Sequence, residues 1–313
     1  MRVDRQTPRS LWSPRTTPTT ADKRNREGCI SSRVPAVQAL GLTWALPTEF
    51  LQQSFAIEQR SGSEYRQMNG HASAASLGSM FWLQRLKWMV FELDTPVSME
   101  PWPASLQHLS FGDDFNHPIA EVEWPASLQQ LEFGHHFNQP IAEVAWPASL
   151  QKLSFGRAFI QTIADAVWPT SLQQLSFGVF FNQPLDKPLD EVVWPASLQQ
   201  LSFGDRFLQP IAEVEWPASL QQLSFGIYFN QPLDEVVWPA SLQQLSFGSS
   251  FNRPITEVAW LASLQRLSFG SSFNQPIGGV AWPSSLQQLS FGLYFNQPLD
   301  EVVWPVSLQQ LLF

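Results

Sequence analysis

The stretch Trp194–Gly204 reads WPASLQQLSFG, and near copies of it recur from Trp102 to the end of the chain. Each copy begins with Trp-Pro, except that Leu261 follows Trp260. The tryptophans that open the copies are 22 residues apart, with a single gap of 26, and they are Trp102, Trp124, Trp146, Trp168, Trp194, Trp216, Trp238, Trp260, Trp282 and Trp304. Self-similarity at a fixed period of this size predicts a stack of repeating units, each of which buries its apolar side against its neighbours.

One unit predicts one short strand. Counted from its tryptophan as position 1, the consensus is W-P-A-S-L-Q-Q-L-S-F-G-x-x-F-N-Q-P-I-x-E-V-x. Positions 7 to 11 alternate between polar and apolar residues, which is the period of a half-buried strand. Prolines at positions 2 and 17 bound this strand and leave no room for a helix of ordinary length. The predicted unit is therefore a flattened coil with one short parallel β-strand and an irregular, helix-poor return.

Stacking such coils lines up identical residues, so the sequence also predicts the core. The apolar positions of one unit are Trp124, Leu128, Leu131, Phe133, Phe137, Ile141 and Val144. Glycine at position 11 is expected where the strand must turn sharply. Asparagine at position 15 is predicted to satisfy the amides of turns between coils, and serine at position 4 and glutamine at position 6 are predicted to form hydrogen-bond ladders.

The chain divides into three zones. Residues 1–35 are polar and basic and are predicted to be a disordered tail. Residues 36–101 are predicted to be an atypical N-terminal cap with worn repeats, because Leu83–Trp88 resembles Leu106–Phe111 and terminal repeats must close the stack. Residues 102–313 form nine full repeats and a truncated tenth.

Charge and composition exclude several classes of function. Residues 79–313 carry eight basic and 21 acidic residues, and an acidic repeat body of this kind would repel nucleic acid. No apolar run is long enough for a membrane span, and the N-terminus lacks the apolar region of a secretory signal. The single cysteine, Cys29, excludes an internal disulfide and favours a cytoplasmic location, although organellar targeting stays open.

The repeat resembles a known family. Phe137-Asn138-Gln139-Pro140-Ile141, which follows Leu128–Gly134, is similar to the FNIP repeat, a 22-residue relative of leucine-rich repeats. The resemblance covers residues 102–313 and implies a leucine-rich-repeat-like solenoid that contacts other proteins. Family members often join such repeats to an F-box, and Leu46–Leu51 is similar to the opening of one, although Ser54 departs from that motif. A substrate-recognition subunit with a degenerate F-box is therefore one alternative.

Chemistry is poorly represented. The adjacent histidines His135 and His136 suggest a metal, but no cysteine or carboxylate set completes a site. An acidic residue fills position 20 or its equivalent in eight of nine full repeats, and the stripe could hold Ca²⁺ or steer a basic partner; its members are Glu121, Glu143, Asp165, Glu191, Glu213, Glu235, Glu257 and Glu301. Phosphate loops and nucleophile motifs are absent from the sequence. We therefore expect no catalytic activity, cofactor or metal.

Positions 12 and 13 differ between copies whose other positions are nearly constant. They follow the strand, where leucine-rich repeats present their binding face, and several are aromatic, as interfaces favour. The candidate partner-binding residues are Asp113, Asp114, His135, His136, Arg157, Val179, Phe180, Asp205, Arg206, Ile227, Tyr228, Leu293 and Tyr294. The sequence predicts a non-enzymatic solenoid that recognises protein partners through its strand face and these turns. The alternatives are a turn that tolerates any side chain and a lattice or polysaccharide binder that uses the Ser/Gln array.

The last unit stops within its strand at Phe313. A final coil without a cap exposes its core and an unpaired strand edge, which favours association. The sequence therefore predicts either self-association through this end or a longer array.

Overall fold

A computed structural model describes residues 65–68, of which only the backbone is considered, and residues 85–92, 94–97, 102–182 and 189–313. The predicted tail at 1–35 and the F-box-like stretch at 46–51 lie outside these residues.

Each coil contributes one strand, and the strands form a single twelve-stranded sheet in chain order in which all neighbours are parallel. No α-helix occurs in the residues that the structure describes. The prediction of a helix-poor solenoid with one short parallel strand per coil is confirmed. The strands are β1 Tyr65–Met68, β2 Trp88–Phe91, β3 His108–Phe111, β4 Gln130–Glu132, β5 Lys152–Ser154, β6 Gln174–Ser176, β7 Gln200–Ser202, β8 Gln222–Ser224, β9 Gln244–Ser246, β10 Arg266–Ser268, β11 Gln288–Ser290 and β12 Gln310–Leu312.

The strand register follows the repeat, because the leucine at position 8 always pairs with its equivalent in the next coil. This holds across the 26-residue coil, where Leu175 of β6 pairs with Leu201 of β7. In that coil a three-residue 3-10 turn, Leu189–Glu191, lies in the return, and Leu189 is buried in the place of the position-18 residue. The extra four residues therefore leave the strands in register. Residues 183–188 are not among the described residues.

The unit that contains β2 shows that the predicted alignment of Leu83–Trp88 with Leu106–Phe111 is wrong by three residues. Strand β2 pairs Trp88 with His108 and Phe91 with Phe111. Leu86 consequently takes the place of Leu106, and its carbonyl accepts the Ser105 hydroxyl at 2.8 Å, as position 5 does in later coils. The unit is a worn repeat in the sheet, but the Leu-x-x-Leu spacing misleads because Met89 and Phe91 fill the positions that Leu and Phe fill elsewhere.

The core consists of the predicted ladders. The leucines at positions 5 and 8 and the phenylalanines at positions 10 and 14 are buried in every complete repeat up to Phe291. The position-14 rings stack coil on coil; Phe207 and Phe229, for example, have centroids 6.0 Å apart and planes 10° apart. Within a coil the two phenylalanines also stack, as Phe203 does on Phe207 at 4.1 Å. The tryptophan ladder is less enclosed, since Trp238 is 6% exposed while Trp260 and Trp282 are only partly buried.

Two polar ladders close the coils, as the sequence predicts. Each position-4 serine donates its hydroxyl to the position-5 carbonyl of the preceding coil, as Ser219 does to Leu198 at 2.7 Å. The position-15 asparagines from Asn116 to Asn274 accept, through Oδ1, the amide of position 15 in the next coil, as Asn252 does from Asn274 at 2.9 Å. The position-6 glutamines instead bond through their backbone, because the carbonyl of Gln199 accepts the amides of both Gln221 and Gln222.

The position-11 glycines begin a turn, as the sequence predicts, and the carbonyl of Gly226, for example, accepts the amide of Phe229 at 3.3 Å. Their φ angles are not positive, since the positive-φ glycine in the described chain is Gly279. A Cβ at Gly226 would instead overlap the carbonyl of Gly204 in the preceding coil, and the same overlap arises at Gly134 and in every later coil. Close approach between stacked backbones therefore excludes any side chain at this position.

Candidate functional site

The outward side of the strands, called here the strand face, lines one groove across β4–β12. Glutamine fills position 7 and serine fills position 9 in most of these strands. The charged exceptions are Lys152 and Arg266 at position 7 and Glu132 at position 9. All three are exposed. Between β6 and β9 the strand face is therefore uniform, polar and uncharged.

The N-terminal end of the strand face differs from the rest. Trp88 and His108 replace glutamine at position 7, and their rings stack with centroids 3.4 Å apart and planes 2° apart. Burial lowers the pKa of His108, and the charge of Lys152 on β5 lowers it further, against a hydrogen bond that the ring donates to the Lys87 backbone and that raises it. His108 therefore favours its neutral form in this position.

Positions 12 and 13 form the second surface, called here the turn edge. From His136 onward, the amide of each position-13 residue donates to the position-12 carbonyl of the preceding coil, as Tyr228 does to Asp205 at 2.9 Å. The turns consequently stack in a straight row, and their side chains meet neighbours from the coils above and below. The structure brings all thirteen sequence-predicted residues together along this edge, but in three different environments.

In the N-terminal half of the turn edge the side chains pair with each other across coils. The ring nitrogen Nδ1 of His135 lies 3.3 Å from Oδ2 of Asp113. His136 Nδ1 likewise lies 3.2 Å from Oδ1 of Asp114, and all four side chains are exposed. Each histidine stacks over the aspartate of the previous coil, so these polar groups already have partners.

The next coils hold an aromatic ring between two cations. The guanidinium carbon Cζ of Arg157 lies 5.1 Å from the centroid of the Phe180 ring, and that of Arg206 lies 4.8 Å from it. Arg157 belongs to the coil before Phe180 and Arg206 to the coil after it. Cation–π attraction at such distances favours these orientations of both arginine side chains, by about 0.5–1 kcal/mol at exposed sites.

In the C-terminal half the side chains stand free of one another. Ile227 and Tyr228 are 42% and 51% exposed, and Leu293 and Tyr294 are 79% and 64% exposed. The two coils between these pairs carry only serine at positions 12 and 13, namely Ser249, Ser250, Ser271 and Ser272. Large exposed apolar residues on a regular edge are typical of a contact surface.

The acidic residues of position 20 lie on the return side of the coils, and all eight are exposed. In the residues that the structure describes, no three His, Cys, Asp or Glu side chains converge into a metal-binding group.

None of the helices in this described part has the length and hydropathy that a bilayer crossing requires. In the last coil Phe313 is 61% exposed, whereas its counterparts at position 10 in earlier coils are buried, as Phe291 is at 3%.

Sequence reasoning missed the cross-coil pairs and the bonds of the position-16 glutamines. Gln275, for example, donates its Nε2 to both the carbonyl and Oδ1 of Asn252. The signal for the cross-coil pairs lies in reading the same position down successive coils, which places His135 beneath Asp113 and Phe180 before Arg206. Reading each turn only along the chain separates these residues.

Comparison with known proteins identifies the repeat. The FNIP repeat family model matches residues 102–136, 115–158, 137–180, 229–258 and 273–313. The crystal structure of CroV588, described as a novel circular LRR protein, is similar at 40% identity and a TM-score of 0.62 over 72% of this chain. This chain spans 36% of the length of that protein.

A second structure, an internalin (InlF) from Listeria monocytogenes, matches 73% of this chain and 74% of its own at 14% identity and a TM-score of 0.47. No curated protein sequence matches. Leucine-rich-repeat solenoids commonly bind other proteins and are typically non-catalytic. With its 22-residue period, its single parallel sheet and its matches to the repeat model, the chain belongs to the FNIP-repeat proteins, a leucine-rich-repeat-like group.

Proposed function

We propose that the chain is a non-enzymatic recognition solenoid that binds a protein partner through its turn edge, with the strand face as the adjoining surface. The observation that carries this proposal is the contrast between a core repeated almost without change and an edge that differs from coil to coil. A purely structural turn needs no particular residue at positions 12 and 13. A binding edge needs particular residues at particular places.

The C-terminal half of the turn edge supplies the main contact in this proposal. Ile227, Tyr228, Leu293 and Tyr294 expose large apolar area, and tyrosine is enriched among residues that dominate binding energy. The rigid stack of coils holds these side chains in place before binding, which lowers the entropic cost of association. The serine pairs between them leave space for a partner's own side chains.

The chain itself supplies a conservative test. Serine already fills positions 12 and 13 in two coils, so replacing all four large residues by serine (I227S, Y228S, L293S, Y294S) is compatible with the fold. The purified chain and this variant are each used to capture proteins from cells that express the chain, and captured proteins are quantified by mass spectrometry. A matched control replaces the exposed Val193 and Val237, which lie away from the edge, by alanine.

We expect the valine control to retain the partners of the unchanged chain and the serine variant to lose at least one of them. The lost protein is then purified and its affinity is measured by calorimetry, with a loss of tenfold or more expected for the serine variant. Equal capture by all three chains would refute the turn edge as the binding surface.

A polysaccharide or other regular lattice is a second candidate ligand, favoured by the uniform Gln/Ser rows of the groove. The position-7 glutamines of β6–β9 have no side-chain hydrogen bond within the described chain, so their amides are available to a ligand. This candidate predicts that Gln200→Ala and Gln222→Ala weaken binding to a glycan array while the four serine substitutions do not. The opposite pattern supports the protein partner.

A further inference from the structure

We propose that Arg157 and Arg206, ordered on either side of Phe180, form a recognition point for two carboxylates on an acidic segment of a protein partner. The proposal rests on the proposed function and names the chemistry that one half of the turn edge would recognise. The two arginines are separate from the four large residues of the C-terminal half, which are Ile227, Tyr228, Leu293 and Tyr294.

The first support is preorganisation. The two guanidinium carbons lie 5.1 and 4.8 Å from the Phe180 ring centroid, and they approach it from the preceding and the following coil. A free arginine samples many rotamers, and fixing it costs entropy that weakens binding. Phe180 is half-buried in the stack, so its ring is held in place and favours these two arginine orientations before any partner arrives.

The second support is that both cations lack an anion. In the described part of the chain neither guanidinium has a carboxylate within ion-pair distance. The neighbouring Asp205 points its Oδ1 to the Ile227 amide at 3.4 Å. Asp113 and Asp114 face His135 and His136 instead. The arginine donors are therefore available, and a carboxylate is the protein group whose geometry fits a guanidinium fork.

Other cations of the repeat body do not share this arrangement. Arg253 donates its Nε to the carbonyl of Asn230 at 2.8 Å, so its orientation is set by the return side of the coils. Arg266 stands alone on the strand face among glutamines. These two arginines carry the same charge in the same molecule and serve as internal controls.

Spacing defines the partner more closely. Arg157 and Arg206 belong to coils two apart, which at the usual strand separation is about 10 Å along the solenoid. A peptide in the polyproline II conformation advances about 3.1 Å per residue with three residues per turn, so glutamates three residues apart lie on the same face and about match this distance. Half-buried Val179 and Phe180 between the cations favour small apolar residues between the two glutamates.

The test follows the arginine Nε–Hε signals by NMR in the full chain during titration with a synthetic peptide that carries Glu-Ala-Ala-Glu between neutral flanks. Matched peptides replace one or both glutamates by glutamine. We expect saturable shifts at Arg157 and Arg206 and an affinity at least fivefold weaker for each single-glutamate peptide. Shifts of equal size at Arg253 and Arg266, or no shift at Arg157 and Arg206, would overturn the proposal.

Variants of the two arginines distinguish recognition by the guanidinium groups from attraction by positive charge alone. Arg157→Ser and Arg206→Ser introduce the residue found at these positions in other coils, and each is expected to weaken peptide binding at least fivefold. The double variant R157K/R206K keeps both charges but loses the planar fork; binding as tight as that of the unchanged chain would contradict the proposal. If the arginine variants still capture the partner and the peptide fails to bind, this inference fails. The proposed function, binding through Ile227, Tyr228, Leu293 and Tyr294 of the turn edge, is then unaffected.

Discussion

Replacing Trp238 by alanine tests whether the tryptophan ladder is part of the core. The side chain is 6% exposed, and an aromatic residue buries about 150–250 Å², which at about 25 cal/mol per Å² gives an upper bound of about 4–6 kcal/mol. Its indole N–H is also buried without an acceptor among the described residues, so truncation removes an unfavourable group as well. Because such a group costs about 1–3 kcal/mol, we expect a net loss of about 2–4 kcal/mol.

The measurement is urea unfolding followed by circular dichroism, with midpoint and slope compared separately, since long repeat arrays depart from two-state behaviour. Val237→Ala changes the preceding residue, which is 76% exposed, and is expected to cost less than about 0.5 kcal/mol. Trp238→Phe keeps most of the apolar body and removes the unpaired N–H, so we expect it to stay within about 1 kcal/mol of the unchanged chain. Equal small losses for Trp238→Ala and Val237→Ala would refute the reasoning.

Four further predictions concern single features. Gly226→Ala forces a Cβ onto the Gly204 carbonyl and should lower the free energy of unfolding by at least about 2 kcal/mol. A Cβ at Gly278 meets nothing closer than 3.6 Å, so Gly278→Ala should be tolerated, and thermal melts of both variants test the difference. Leu208→Asn supplies an acceptor for the amide of Asn230 and should raise the unfolding free energy by about 0.5–1.5 kcal/mol in urea, and no gain would contradict the asparagine ladder. Burial lowers the His108 pKa in the folded chain, so protons bind better to the unfolded chain and stability should fall as pH drops below about 6.5; His108→Gln should reduce that fall in urea midpoints between pH 7 and pH 5. Deleting Asp186–Leu189 restores the 22-residue period with Leu185 in place of Leu189. The melting temperature should be unchanged or higher, and an unfolded product would show that the longer return is required.

The fold followed from the sequence because its signal is repeated ten times. The period, the alternation around Leu201 and the prolines on either side allow only one short strand and an irregular return in each coil. Burial of positions 1, 5, 8, 10, 14, 18 and 21 then follows from stacking identical coils. The worn first unit was misaligned because Met89 and Phe91 carry no repeat signal of their own, and only the pairing of β2 with β3 sets their register.

The site was predictable only in part. Variation at positions 12 and 13 located the turn edge. It did not predict which side chains of the edge contact each other. The contact of His135 with Asp113 and that of Arg206 with Phe180 depend on side-chain rotamers in neighbouring coils, which no local pattern encodes. Likewise, the glycines were recognised as special residues, but the reason lies in the backbone of the adjacent coil.

Since every coil presents the same bonding pattern to the coil before and after it, whole units can be gained or lost without disturbing the rest. The serine hydroxyl of one coil meets the same leucine carbonyl whichever unit precedes it. Inserting one 22-residue unit between Tyr228 and Tyr294 would therefore lengthen the distance between these two side chains by about 4.8 Å and leave both turns unaltered. Duplication of units within a gene of this kind would thus change the spacing of contact points in fixed steps, so that partner choice could evolve through length as well as through substitution.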